Sequence, residues 1–147
     1  MRKETIAAVH TSYGRCLLDE RFFDHFYEIF MASHEAIAPM FANTDMEKQK
    51  HLIRHGLASA INFAAGDNPM AGNAIERIRR SHSKDHIGVD PALYDYWTES
   101  LIQAVARTDP EFDQALERAW REVIAPAVEF IKAGYEGGGK RRVAGSE

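Results

Sequence analysis

The residues of this sequence that are most able to carry chemistry are its histidines. The chain of 147 residues holds seven of them, at His10, His25, His34, His51, His55, His82 and His86. A lone helical histidine is usually an exposed or core residue, so a functional role needs support from its surroundings. His82 has such surroundings, because it ends a predicted amphipathic helix in which Ile75 and Ile78 lie on the same face.

Apolar and aromatic residues are predicted to surround the His82 ring. The chain breaks at Gly88 and restarts at Pro91 with Tyr94 and Trp97. One neutral imidazole within an apolar and aromatic wall is the arrangement that haem iron needs on its ligand side. The alternative is a histidine at a helix end that interacts with the helix dipole and the last carbonyls. The spacing alone does not decide between the two interpretations.

A second candidate cluster lies early in the chain. It is an aromatic block made of Phe22, Phe23, Phe26, Tyr27, Phe30 and Phe41. Tyr27 is flanked by apolar residues at helical spacing, so we expect its hydroxyl to be buried and to need a partner. Gln49 shares a predicted helix face with Met46 and Ile53, where a polar side chain is costly unless it meets a polar group or a ligand. Tyr27 and Gln49 could bond each other or both contact a diatomic ligand; a core tyrosine and a rim glutamine are the alternative.

Composition and missing motifs exclude several classes of function. The sequence contains no HExxH, CxxC, P-loop or GxSxG motif. A single cysteine, Cys16, excludes a disulfide or a cysteine-only metal cluster within one chain and suits a reducing cytoplasm. The net charge of −4 argues against general nucleic-acid binding. We see no apolar run long enough for a membrane span and no secretion signal.

The hydrophobic pattern predicts an all-α domain over residues 1–136 and a disordered tail over 137–147. We predict helices at about 3–17, 20–32, 35–41, 45–64, 71–82, 91–107 and 110–135. The stretch from Thr44 to Glu47 has capping-box spacing, and Asp90 and Asp109 each precede a proline suited to the first helical position. Pro126 predicts a kink in the last helix.

Three segments of the sequence resemble bacterial globins. The run FFDHFYEIF, followed by Pro39-Met40-Phe41 and TDMEKQKHLI, is similar to the distal half of flavohaemoglobin globin domains and of single-domain and sensor globins. Similarity to the proximal half of these globins is found in IERIRRSHSKDHIGVDPALYDYWTESLI. Similarity to their last helix is found in AWREVIAPAVEFI. The resemblance covers about residues 5 to 135 and implies a three-over-three helical fold around haem b.

The resemblance also assigns roles to individual residues. His82 matches the proximal ligand of the haem iron, and Tyr27 and Gln49 match the distal tyrosine and glutamine. Phe41 matches the phenylalanine that wedges against the haem, and Ile53 the apolar residue above the iron. Other positions that the resemblance places in the pocket are Phe30, Ile78, Val89, Tyr94, Trp97 and Leu101.

The sequence departs from flavohaemoglobins in two places. The segment between His82 and Pro91 is slightly longer, which makes His86 a competitor for the proximal role and a candidate haem contact. His86 lies beyond the predicted end of the helix whose apolar face Ile75 and Ile78 define. Flavohaemoglobins also carry a glutamate near the end of the last helix, where this chain has Tyr135 nearest by count and Glu136 one residue off. Their redox chemistry is therefore not implied for this chain.

The function implied by the resemblance is reversible binding of O₂, with NO and CO as further ligands, for storage, delivery, scavenging or sensing. NO dioxygenase or peroxidase-type chemistry with a separate reductase ranks second, because no electron-donor site is visible. A haem-free signalling module with the same fold is the alternative from another class. A homodimer is compatible with the sequence, and we expect a cytoplasmic protein without nucleic-acid or membrane partners.

Overall fold

A computed structural model describes residues 2–136 of the chain, and within that range every regular element is helical. The elements are α1 (Lys3–Leu17), α2 (Phe22–Ser33), α3 (Ile37–Met40), α4 (Met46–Phe63), α5 (Pro69–His82), a 3₁₀ turn (Pro91–Leu93), α6 (Tyr94–Thr108) and α7 (Gln114–Ala133). The all-α prediction is confirmed, and every predicted helix is found with its ends shifted by a few residues. The expectation for 137–147 lies outside the described residues.

Side-chain caps fix where several helices begin, because they accept hydrogen bonds from N–H groups that have no partner within the helix. The Asp45 carboxylate accepts two such bonds at the start of α4. At the start of α5 the cap is Asn68, directly before Pro69. The predicted pairing of a capping acid with a proline is found at Asp90 and Pro91, where it opens the 3₁₀ turn.

Two of the predicted helix starts are wrong. The capping-box spacing placed Thr44 at the cap of α4, whereas Asp45 occupies that position and accepts backbone N–H bonds at 3.1 and 3.3 Å. The last helix is capped by Asp113 and does not begin at Pro110. Asp109 does not cap this helix, because its buried carboxylate accepts hydrogen bonds from Ser12 and Arg15 of α1 and from the Glu111 N–H.

The helices form a three-over-three sandwich, in which α1, α4 and α5 face α2, α6 and α7. Within the layers, α2 packs along α6 and α4 packs along α5, and α7 contacts α1, α4 and α5 across the interface. The largest fully buried side chains include Trp120, Phe22, Phe26, Ile61, Ile75 and Leu101. This arrangement brings the middle of α2 next to the first half of α4, and the end of α5 next to α7.

Pro126 lies inside α7, and the helix continues past it to Ala133. Proline removes one backbone hydrogen bond from a helix interior. The kink that Pro126 predicts stays a prediction. No helix among residues 2–136 combines the length and apolar character that a membrane span needs.

Candidate functional site

His82 is the last residue of α5, and its ring is half-buried. On the same helix Ile75 is fully buried and Ile78 is half-buried against the core. Burial lowers the pKa of the His82 imidazole, and a hydrogen bond with the Ile78 backbone acts in the opposite direction. Because the burial effect is the larger, the ring is neutral at physiological pH.

The contact of the His82 ring with Ser81 indicates which ring nitrogen carries the proton. The Ser81 hydroxyl donates to the backbone carbonyl of Ile78 at 3.0 Å, and its oxygen lies 3.0 Å from His82 Nδ1. A hydroxyl has one proton, so the second contact is a bond donated by Nδ1–H to the serine oxygen. The lone pair of a neutral imidazole is then on Nε2, to which none of residues 2–136 donates a hydrogen bond. His82 therefore presents a ring nitrogen whose lone pair is free to bind a ligand.

The chain after α5 folds back onto its end. The N–H of Val89 donates to the His82 carbonyl at 3.1 Å, and Gly88 permits the turn with a φ of 73°. This turn leaves Val89 half-buried next to His82. His86, the competing candidate, is exposed, and its Nδ1 lies 3.2 Å from the Ser83 hydroxyl.

Tyr27 and Gln49 meet, as one of the sequence interpretations required. Gln49 Nε2 donates to the Tyr27 hydroxyl oxygen at 3.0 Å. Tyr27 is buried, and this burial raises the pKa of its phenol to about 12 although the Gln49 bond acts against it. The phenol is therefore protonated at neutral pH. Since its oxygen is already an acceptor, its proton remains available for another acceptor.

Aromatic rings connect this pair to the rest of the core. Phe41 from the segment after α3 packs edge-on against Tyr27 and Phe30, with ring centroids 5.6 and 6.3 Å apart. Phe26 contacts the Tyr27 ring and, at 5.9 Å, the ring of Trp97 on α6. Tyr27, Phe30, Phe41 and Trp97 thus belong to one continuous aromatic cluster, which Phe26 joins together.

Two further predicted pocket residues, Tyr94 and Leu101, lie on α6. Tyr94 and Leu101 are both buried, and burial raises the pKa of the Tyr94 phenol to about 12. Trp97 lies between them along the helix and is half-buried against the core. The three side chains follow one face of α6 at helical spacing.

The register of α4 matches the predicted one. Gln49 reaches Tyr27, and Ile53 packs against the core. His51 and His55 on the same helix are exposed. Each helical residue advances about 100°, so these histidines emerge from the side opposite to Gln49.

Sequence reasoning missed an ion pair that ties α2 to α4 beside Tyr27. Lys50 Nζ lies 2.8 Å from the Asp24 carboxylate and 2.7 Å from that of Glu47. A cleft of about 280 Å³ opens there, and it is lined by Arg21, Asp24, Tyr27, Glu28, Met31, Met46 and Lys50. Sequence reasoning also missed the role of Ser81. The only signal was a serine directly before a histidine at a helix end.

The glutamate after α7 does not reach His82. Glu136 Oε1 pairs with Lys84 Nζ at 2.8 Å, whereas the partner of His82 Nδ1 is the Ser81 hydroxyl. A carboxylate on that nitrogen would strengthen imidazole as an electron donor, and a neutral hydroxyl does so less.

Comparison with known proteins agrees with this geometry. The family model Globin matches residues 20–131. A crystal structure from Pseudomonas aeruginosa, of a protein described as structurally highly homologous to a human haemoglobin, is similar with a TM-score of 0.85 and 37% sequence identity. The match covers 90% of this chain and 99% of that one. A search of curated proteins found no match.

Proposed function

The chain belongs to the globin family, and we propose that it is a haem-binding globin that takes up O₂ and other diatomic ligands reversibly. The observation that carries the proposal is the Gln49–Tyr27 hydrogen bond of 3.0 Å. It fixes a buried, protonated phenol whose proton has no acceptor of its own among residues 2–136. A donor so placed suits a small ligand that accepts a hydrogen bond.

The residues present fit a haem. His82 is neutral, and the Ser81 hydroxyl takes its Nδ1 proton, which leaves Nε2 to bind iron. The apolar flank of Ile53, Ile78 and Val89 suits the faces of a porphyrin. Haem, when bound, supplies the ferrous iron on which O₂, CO or NO binds reversibly.

The chain's own contribution is to hold His82, which would bind the iron, and to offer a hydrogen-bond donor to the diatomic ligand. The Tyr27 hydroxyl would donate to the ligand, while Gln49 keeps the phenol oriented by donating to its oxygen. A bound O₂ carries partial negative charge, so a preorganised donor slows its release.

Reversible binding is favoured over NO dioxygenase or peroxidase-type chemistry. Glu136 is engaged by Lys84, so the carboxylate that flavohaemoglobin-like chemistry would need is not at His82. An enzymatic role would also require a separate reductase as partner. The haem-free signalling alternative is disfavoured by the lone pair on His82 Nε2, to which none of residues 2–136 donates a hydrogen bond.

The absorption spectrum of the purified protein, before and after addition of haemin, tests this proposal. We expect a Soret band and a ferrous, ligand-free spectrum with an open sixth position, because His51 and His55 are exposed and point away from Gln49. The sharp split bands of low-spin bis-histidine haem would contradict the open position. Failure to take up haem at all would overturn the proposal itself.

The role of Tyr27 can be measured as an O₂ dissociation rate. We expect Tyr27→Phe to speed O₂ release about tenfold, which corresponds to the loss of one hydrogen bond of about 1.4 kcal/mol. Gln49→Leu should have a smaller effect, since it loosens the phenol without removing the donor. Stopped-flow mixing with excess CO measures both rates, and His51→Ala, exposed on the same helix, is the control. Unchanged rates in both variants would show that another group holds the ligand.

A further inference from the structure

The end of α7 and the residues that follow it contact the chain on both sides of His82. Three residues before His82, the Arg79 guanidinium lies over the Phe130 ring with its carbon 4.3 Å from the ring centroid. Two residues after it, the N–H of Lys84 donates to the Tyr135 carbonyl at 2.8 Å. The Lys84 ammonium pairs with Glu136, also at 2.8 Å. We call these contacts, with Gly134, the C-terminal clamp.

Gly134 makes room for the first of these contacts. A Cβ atom added at Gly134 would collide with Cγ, Cδ and Nε of Arg79. The φ of Gly134 is −86°, which any residue adopts, so the backbone does not require glycine there. The reason for glycine is therefore space for the Arg79 stem, which places the guanidinium on Phe130.

Phe130 in turn joins three helices. Its ring contacts Phe63 at the end of α4, with centroids 5.6 Å apart, and it packs against the core. The Arg79 guanidinium of α5 lies over the same ring. The last turn of α5 is thus held against α4 and α7 through one aromatic ring.

We propose that the C-terminal clamp positions His82, with Arg79 as a positioning residue that acts through the last turn of α5. This inference rests on the proposed role of His82 as the iron ligand. The clamp sets the orientation of the imidazole by holding the backbone on both sides of it, whereas Ser81 sets its tautomer. A change at the end of α7 would therefore alter the bond between His82 and iron without touching the haem pocket.

Gly134→Ala is the test, because it displaces the Arg79 side chain from Phe130. The matched control is Gly72→Ala in the first half of α5, where an added Cβ meets nothing within 4 Å. We expect amide exchange in the last turn of α5 to become about tenfold faster in Gly134→Ala, as loss of a partly desolvated cation–π contact allows. Exchange in α1 and α6 should be unchanged, and Gly72→Ala should not speed exchange in the last turn of α5, because alanine in place of a helical glycine favours the helix.

Two further measurements separate positioning from general loosening. In the Arg79→Ala background, Gly134→Ala should have no additional effect, since its collision partner is gone. In the haem-loaded protein, the iron–histidine stretching band should move in Gly134→Ala and Arg79→Ala and stay in place in Gly72→Ala.

Failure of the clamp differs from failure of the proposed function. Amide exchange needs no bound haem, so equal exchange in Gly134→Ala and Gly72→Ala would overturn the clamp whatever the protein binds. An unmoved iron–histidine band despite faster exchange would overturn the positioning of His82. A protein that takes up no haem would overturn the proposed function and leave the exchange result standing.

Discussion

We expect His82→Ala to lose haem or its five-coordinate ferrous spectrum. On the proposed function, His82 would bind iron through Nε2, because Ser81 takes the Nδ1 proton and burial keeps the ring neutral. Alanine removes the ligand and leaves only apolar contacts to hold the porphyrin. Haem content per chain after purification and the ferrous spectrum measure the effect.

The matched control for that experiment is His86→Ala. His86 lies four residues further on, and it is exposed and hydrogen-bonded to Ser83. We expect its removal to leave haem content and the ferrous spectrum unchanged. Loss of the spectrum in His86→Ala with retention in His82→Ala would reverse the assignment and show that the turn at Gly88 differs from the one described.

Much of the fold follows from local signals in the sequence. The helical period of apolar residues places every helix, because a buried stripe must recur along one face to reach the core. The same period places Gln49 and Ile53 inward and His51 and His55 outward on α4. A bond between Tyr27 and Gln49 is one of the three interpretations that the sequence allows, since a buried hydroxyl and a polar side chain in an apolar stripe both need partners.

What the sequence could not predict depends on contacts between distant segments. Asp109 precedes a proline and has the local signature of a helix cap, yet side chains of α1 donate hydrogen bonds to its carboxylate. For the same reason the sequence does not predict the Lys50–Asp24 ion pair or the contact of Arg79 with Phe130, because each joins different helices. Local propensity cannot indicate which of several competing partners a side chain meets.

Asp109→Ala should destabilise the fold by about 3 kcal/mol, because it leaves buried donors without their acceptor. The Asp109 side chain is fully buried, and its carboxylate accepts from the Ser12 hydroxyl at 2.6 Å and from Arg15 at 2.6 and 2.9 Å. It also accepts the N–H of Glu111, and Ser12 accepts the indole N–H of Trp120. This loss of stability is at the lower end of what breaking a buried ion pair costs, since the Arg15 side chain is 28% exposed and can reach water.

The matched control for Asp109→Ala is Glu99→Ala. Glu99 forms an equally short pair with Arg121, at 2.6 Å, but both side chains are more than a third exposed. Exposed pairs contribute less than about 1 kcal/mol, so we expect a small change in the free energy of unfolding. Urea unfolding followed by circular dichroism compares the two variants with the wild type. Equal effects would mean that the Asp109 network is not the anchor between α1 and the loop before α7.

The contribution of Asp109 should also depend on pH. Burial by itself would raise the pKa of this carboxyl, but the bonds from Arg15, Ser12 and the Glu111 N–H outweigh it and lower the pKa. A group whose pKa is lower in the folded state stabilises the fold above its unfolded pKa of about 4, and loses that contribution as the pH falls through the folded value. The difference in unfolding free energy between the wild type and Asp109→Asn should therefore be full at pH 7 and shrink well below pH 4. A difference that stays constant down to pH 3 would show that the ionised carboxylate is not what holds Ser12 and Arg15 together.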